Sequence, residues 1–197
     1  MRKIVVITMV TLDGVMHAPG PEDGFEFEGW AMPYWDETGL KVMDEQVDQP
    51  FDMLLGRRTF EFFAKYWPHQ TGTIADGFNK ATKYVVSDDG KVAANWDKTE
   101  IITGDVVAEL RRLKEGDGPM LQVHGSGRLI QALLANDLVD ELWLRTFPVT
   151  LGEGQKLWED GVRPAAWRMT ESVVTPSGVV LASYVRDGKV KKPATKA

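Results

Sequence analysis

Residues 4–10 read Ile-Val-Val-Ile-Thr-Met-Val, an unbroken β-branched run of the kind that packs as a strand buried on both faces. Shorter runs at 52–55, 83–86, 100–102 and 120–123 have the same character and read as inner strands. Between them the spacing changes. Val106, Val107, Leu110 and Leu113 recur at helical intervals, with Glu109, Arg111, Arg112 and Lys114 on the opposite face and Asp105 in place to cap the N-terminus, which predicts a surface helix. Leu129, Ile130, Leu133 and Leu134 repeat the pattern directly behind Gly125-Ser126-Gly127. Strand and helix in alternation imply crossover connections and a largely parallel sheet. The C-terminal third departs from this: 139–147, 167–174 and 179–185 are all strand-like, and Thr175-Pro176-Ser177-Gly178 joins the last two as a hairpin. The expected fold is α/β, a mixed, mostly parallel sheet with an antiparallel C-terminal edge.

A chain of 197 residues with 43% hydrophobic and 26% charged residues fits one domain, taken here as 1–187, followed by a flexible tail at 188–197 that has no apolar face. The net charge of -6 would repel nucleic-acid backbones and anionic lipid, so neither is an expected partner. Without cysteine there are no disulfides, thiolate nucleophiles or thiolate metal sites. His17, His69 and His124 lack the spacing of metal ligands, so no metal is expected, although His124 could line a cofactor groove. The opening MRKIVVITMV superficially matches a signal peptide, but Thr8 interrupts the apolar run and no small-residue cleavage site follows. A first strand is the better reading. No stretch approaches the roughly 20 apolar residues of a membrane span, and a cytoplasmic location is expected.

Residues 11–35 form the longest stretch without periodicity, yet they carry Phe25, Phe27, Trp30, Tyr34 and Trp35, the apolar surface a loop needs to close over a ligand. Two strand-to-helix junctions have chemistry suited to anions. At 54–59, Leu-Leu-Gly-Arg-Arg-Thr puts guanidinium groups beside the unpaired amides of a helix start. At 123–129, Val-His-Gly-Ser-Gly-Arg-Leu lets the backbone approach a diphosphate closely, although the spacing is not the Rossmann GxGxxG.

The ordered set TLDGVMHAPG, LLGRRTFEFF, KYVVS, VHGSGRLIQALL and LVDELWLRTFPVTLGEGQKLW resembles the dihydrofolate reductase-like superfamily, closest to its single-domain branch related to the riboflavin-biosynthesis reductase (RibD C-terminal) domain. The resemblance implies a three-layer α/β/α sandwich with NADPH across the C-terminal ends of the central strands. It implies that Gly56, Arg57, Arg58 and Thr59 hold phosphates on the adenosine side and that Gly125, Ser126, Gly127, Arg128 and Leu129 receive the pyrophosphate. Ser87 would lie near the adenine ribose. The segment 11–18, with Thr11 and Gly14 toward the cofactor and Met16 toward the substrate, would be the mobile loop beside the nicotinamide, and Trp35 and Asp36 would open the helix that borders the substrate. A homodimer is also implied, with one face of the strand carrying Leu142, Trp143, Leu144 and Phe147 as a candidate interface. Asp140 and Glu141 read as structural, at the sheet edge.

Three departures qualify the resemblance. Asp88 and Asp89 stand where relatives often have arginine and would repel a 2'-phosphate, so NADH is possible beside NADPH. The Gly-Ser-Gly form at 125–127 argues against folate as natural ligand. No zinc-binding deaminase segment precedes the domain, so the two-step riboflavin enzyme as a whole is not expected. Hydride transfer needs positioning and a proton source. Asp36 is the first candidate, through a pKa raised by burial beside Trp35, with a helix cap as the alternative role; Asp13 is the second. The leading reading is an NAD(P)H-dependent reductase of a small heterocyclic or carbonyl compound (pterin, folate, pyrimidine or flavin-related). Its rival is a dinucleotide- or ligand-binding protein without turnover.

Overall fold

The computed structural model describes residues 1–21 and 24–191. Eight strands form one sheet in the order β4-β3-β2-β5-β1-β6-β8-β7. In chain order these are β1 (Ile4–Thr11), β2 (Phe51–Gly56), β3 (Lys83–Val86), β4 (Thr99–Ile102), β5 (Met120–His124), β6 (Glu141–Phe147), β7 (Trp167–Val174) and β8 (Val180–Arg186). The helices are α1 (Glu37–Asp48), α2 (Arg57–Tyr66), α3 (Thr73–Lys80), α4 (Val106–Glu115) and α5 (Gly127–Ala135). The pairings among β1 to β6 are parallel, and β8 runs antiparallel between β6 and β7. The mixed, mostly parallel sheet with its antiparallel hairpin is therefore as the patterning predicts.

The sheet alternation sorts the core into two layers. Leu54, Leu121, Val123 and Leu142 face α4 and α5 with Leu110, Ile130 and Leu133. Met53, Leu55 and Val85 face the other way, onto Phe60 and Ala64 of α2 and Phe78 of α3, with Val47 of α1 packed alongside. Helices on both faces make the three-layer sandwich. β1 sits at its centre with Ile4, Val5 and Val6 wholly buried, which is why its sequence runs without alternation.

One local expectation needs correction. The run at 100–102 is not inner: β4 is an edge strand with Glu100 and Ile101 exposed, and four residues are too few to separate edge from centre by hydrophobicity. Both faces of β6 pack within the chain at Leu142 and Trp143, which point opposite ways and are both buried, while Trp143, Leu144 and Arg145 also line a cleft on the α1 face. Asp140 does act structurally: its carboxylate accepts from the Ile4 amide at 2.8 Å and pairs with Lys114, tying the entry of β6 to β1 and α4. Of the proposed tail, residues 188–191 are described, exposed and outside any strand, and 192–197 lie outside the described residues.

Candidate functional site

In a parallel sheet a ligand crevice opens where neighbouring strands send their helices to opposite faces, beyond the carboxyl ends. That condition is met between β2 and β5, which are adjacent, with α2 leaving to one face and α5 to the other. The two anion-suited junctions, 69 residues apart from Gly56 to Gly125, are brought together here. The Gly56 amide donates to the Ser126 hydroxyl at 2.9 Å, and that hydroxyl donates to the His124 carbonyl at 3.1 Å. A Cβ added at Gly125 would lie 3.6 Å from the Thr59 side chain. Gly125 (φ 51°) and Ser126 (φ 62°) are both left-handed, turning the chain sharply from β5 into α5.

Carboxylates cap α1 and α4, through Asp36 and Asp105, whereas α2 and α5 begin without a side-chain cap. Their first-turn amides are left without a side-chain cap, and the positive ends of both helices stand at the carboxyl ends of β2 and β5. Arg58 and Arg128 extend into solvent beside them. Leu129, by contrast, is packed in the core, so only its backbone belongs to the turn. The Ser126 hydroxyl is likewise spent on stapling β2 to β5.

Arg57 is half-exposed and pairs with Asp89 at 3.2 Å. Asp89 is positioned from below, accepting from the Ser87 hydroxyl at 2.9 Å and the Lys91 amide at 3.1 Å; these bonds and Arg57 hold its pKa below the usual carboxylate range. Ser87 is only 2% exposed, and its one hydroxyl proton is shared between Asp89 and the Lys91 carbonyl, 2.7 Å away. It shapes the end of β3 with its side chain buried.

The aromatic segment is packed rather than open. Trp30 donates from Nε1 to the His17 carbonyl at 2.7 Å and is nearly buried, while Trp30, Tyr34 and Trp35 meet Phe147 edge-on at 5.3, 6.1 and 6.5 Å. The turn after β1 is tied to 149–157: Leu12 donates to the Val149 carbonyl, Met16 to that of Gln155, and Leu157 back to Gly14. Met16 is 6% exposed and joins the core. Thr11 is buried as well, its hydroxyl bonding Asp13 at 2.5 Å and receiving the Val15 amide.

Neither carboxylate has a raised pKa. Asp36 caps α1 by accepting from the Gly39 amide at 2.9 Å, and the hairpin tip between β7 and β8 adds the Ser177 amide and hydroxyl at 3.1 and 2.8 Å. These donors lower it to about 2, against the expected effect of burial. Asp13, held by Thr11, Gly152 and Leu151, is likewise lowered to about 2. Both are ionised at neutral pH and neither is poised to give up a proton. His124 does not line the crevice: it is 9% exposed, bonded to Gln122 and packed on Phe78, and burial drives its pKa down to about 3. Among the described residues no cluster could hold a metal ion.

Sequence reasoning overlooked Gln155. Its carboxamide lies on Gly127, where any Cβ would collide with it, so the loop after β6 reaches over the start of α5. Gly154 makes that approach possible: a Cβ there would stand 2.9 Å from Val15. The signal was the GEGQ run itself, whose glycines mark close backbone approach.

The model of the RibD C-terminal domain matches residues 2–181. The chain belongs to the RibD C-terminal domain family. An uncharacterized Bacillus subtilis protein, YyaP, is 27% identical over 95% of this chain and 96% of its own. The deaminase and 5-amino-6-(5-phosphoribosylamino)uracil reductase of Thermotoga maritima superposes with a TM-score of 0.64 at 16% identity, covering 94% of this RibD C-terminal domain and 56% of that longer chain. Dihydrofolate reductase from Enterococcus faecalis, solved with NADP(H), superposes with a TM-score of 0.60 at 16% identity, over 94% of this chain and 96% of that one. The dihydrofolate reductase-like fold is thereby shown. No helix of the described residues is long and apolar enough to cross a membrane.

Proposed function

We propose that this protein is an NAD(P)H-dependent reductase of a small heterocyclic or carbonyl compound. The observation that carries the reading is the meeting of two uncapped helix starts at the β2–β5 crevice, where Gly56 and Ser126 touch, Gly125 turns left-handed and the Gln155 carboxamide lies on Gly127 as a side chain that a ligand would displace. Such a cradle fits a diphosphate: its amide donors are preorganised and its charge is positive. The reduced dinucleotide, when bound, supplies the hydride. The chain's own part is to hold the diphosphate at α2 and α5, and to border the reacting end with the tethered turn at 11–16 and the aromatic cluster around Phe147.

Asp13 and Asp36, both ionised, leave the proton to come from water. The same observation favours the second reading, a dinucleotide-binding protein without turnover. The two separate in one experiment. NADPH and NADH are expected to quench tryptophan fluorescence in both cases, while oxidation of the dinucleotide with dihydrofolate, pteridines, flavins or pyrimidinone ribosylamines occurs only with a reductase. Absence of any dinucleotide binding would sink both readings. As a control, Gly127→Leu is expected to abolish binding, and pairing it with Gln155→Ala distinguishes a blocked cradle from mere displacement of Gln155.

A further inference from the structure

On the face carrying α1, strands β6, β8 and β7 leave a cleft of about 300 Å3 walled by Val42, Glu45, Gln46 and Gln49. β1 separates it from the β2–β5 crevice, and the inference drawn from it is independent of the dinucleotide reading. Arg145 of β6 lines the cleft. It is 6% exposed, and its Nη2 donates to the Gln46 side-chain oxygen at 2.5 Å. Its Nε has no acceptor, and no carboxylate pairs with it among the described residues. Burial brings its pKa down to about 10, which still leaves a cation at neutral pH.

A desolvated guanidinium without a counter-ion is among the costliest arrangements in a folded chain. Its neighbours do not relieve it. Gln122 spends Nε2 on the Gln46 carbonyl at 2.9 Å and Oε1 on His124 at 3.0 Å, and His124 contributes no negative charge. A planar fork with an open donor suits a carboxylate. The same cleft is acidic at its exposed margin. Glu171 has no ion pair among the described residues, and Glu45 has only Lys41 at 4.0 Å, whereas Glu141 is already engaged by Lys3 and Trp143. A buried cation below exposed carboxylates is complementary to a molecule with opposite charges at its two ends, and unfavourable for a phosphate dianion.

We propose that this cleft binds a small aminocarboxylate, its carboxylate on Arg145 and its ammonium toward Glu171 and Glu45. The test titrates the full chain with glycine, β-alanine and γ-aminobutyrate, with acetate, propylamine and inorganic phosphate as comparators, following the Arg145 Nε–H resonance assigned through Arg145→Lys. At least one aminocarboxylate is expected to shift that resonance saturably at roughly one-tenth the concentration of acetate. Glu171→Gln is expected to narrow that margin, and Arg145→Met to abolish binding. The proposal is overturned if no aminocarboxylate moves the resonance, if acetate or phosphate does so equally well, or if Glu171→Gln leaves the preference intact. Should Arg145→Met fail to fold, the resonance and the Glu171 variant still decide.

Discussion

Asp36 and His124 both tie stability to acid, but in different pH windows. His124 is buried neutral, with a folded pKa of about 3 against an ordinary 6.5, so the unfolded chain takes up the proton first; its contribution is whole above 6.5 and lost as pH falls toward 3. Asp36 falls from 3.8 to about 2, so its contribution is whole above 3.8 and lost on the way to 2. His124→Gln is therefore expected to flatten the fall of Tm between pH 6.5 and 4, while Asp36→Asn leaves that limb and alters only the one below. Calorimetry across the range checks both. At Asp89, the pairing with Arg57 withholds the guanidinium from a 2'-phosphate. Asp89→Asn is expected to raise the NADPH-to-NADH affinity ratio roughly fivefold, since a half-exposed pair contributes modestly; an unchanged ratio would remove Arg57 from the cofactor's reach.

At the scale of elements, one hydroxyl joins β2 to β5. Ser126→Ala leaves the Gly56 amide without its acceptor, and a loss of about 1–3 kcal/mol in urea unfolding is expected, together with weaker dinucleotide binding because the two turns part. The β7–β8 hairpin has a comparable role at the other end of the site. Its tip, through Ser177, grips both Asp36 and the Tyr34 carbonyl and so sets where α1 begins. Strand patterning and turn chemistry made each of these elements readable in isolation. Nothing in either segment marks Ser177 as the partner of a residue 141 positions away.

For the whole molecule, a net charge of -6 and a crevice flanked by Arg57, Arg58 and Arg128 act oppositely on an anionic ligand. The crevice wins at short range, where helix ends and guanidinium groups are within a Debye length, and its attraction is screened by salt. Dinucleotide affinity is expected to fall as ionic strength rises from 0.02 to about 0.5 M; an increase would mean that the protein's overall charge dominates. The sequence by itself determined the strands, two of the helices flanking the crevice and the residue types at both anion-suited turns, because hydrophobic period and glycine placement are local properties of the chain. Caps such as Asp105, and the alternative cap role of Asp36, are legible along the chain, because a cap and its helix are neighbours in sequence. Only the tertiary structure decided the long-range partners: Ser126 takes the Gly56 amide, Asp13 the Gly152 amide and Asp36 the Ser177 amide, and the protonation of a carboxylate depends on such partners rather than on its place in the sequence.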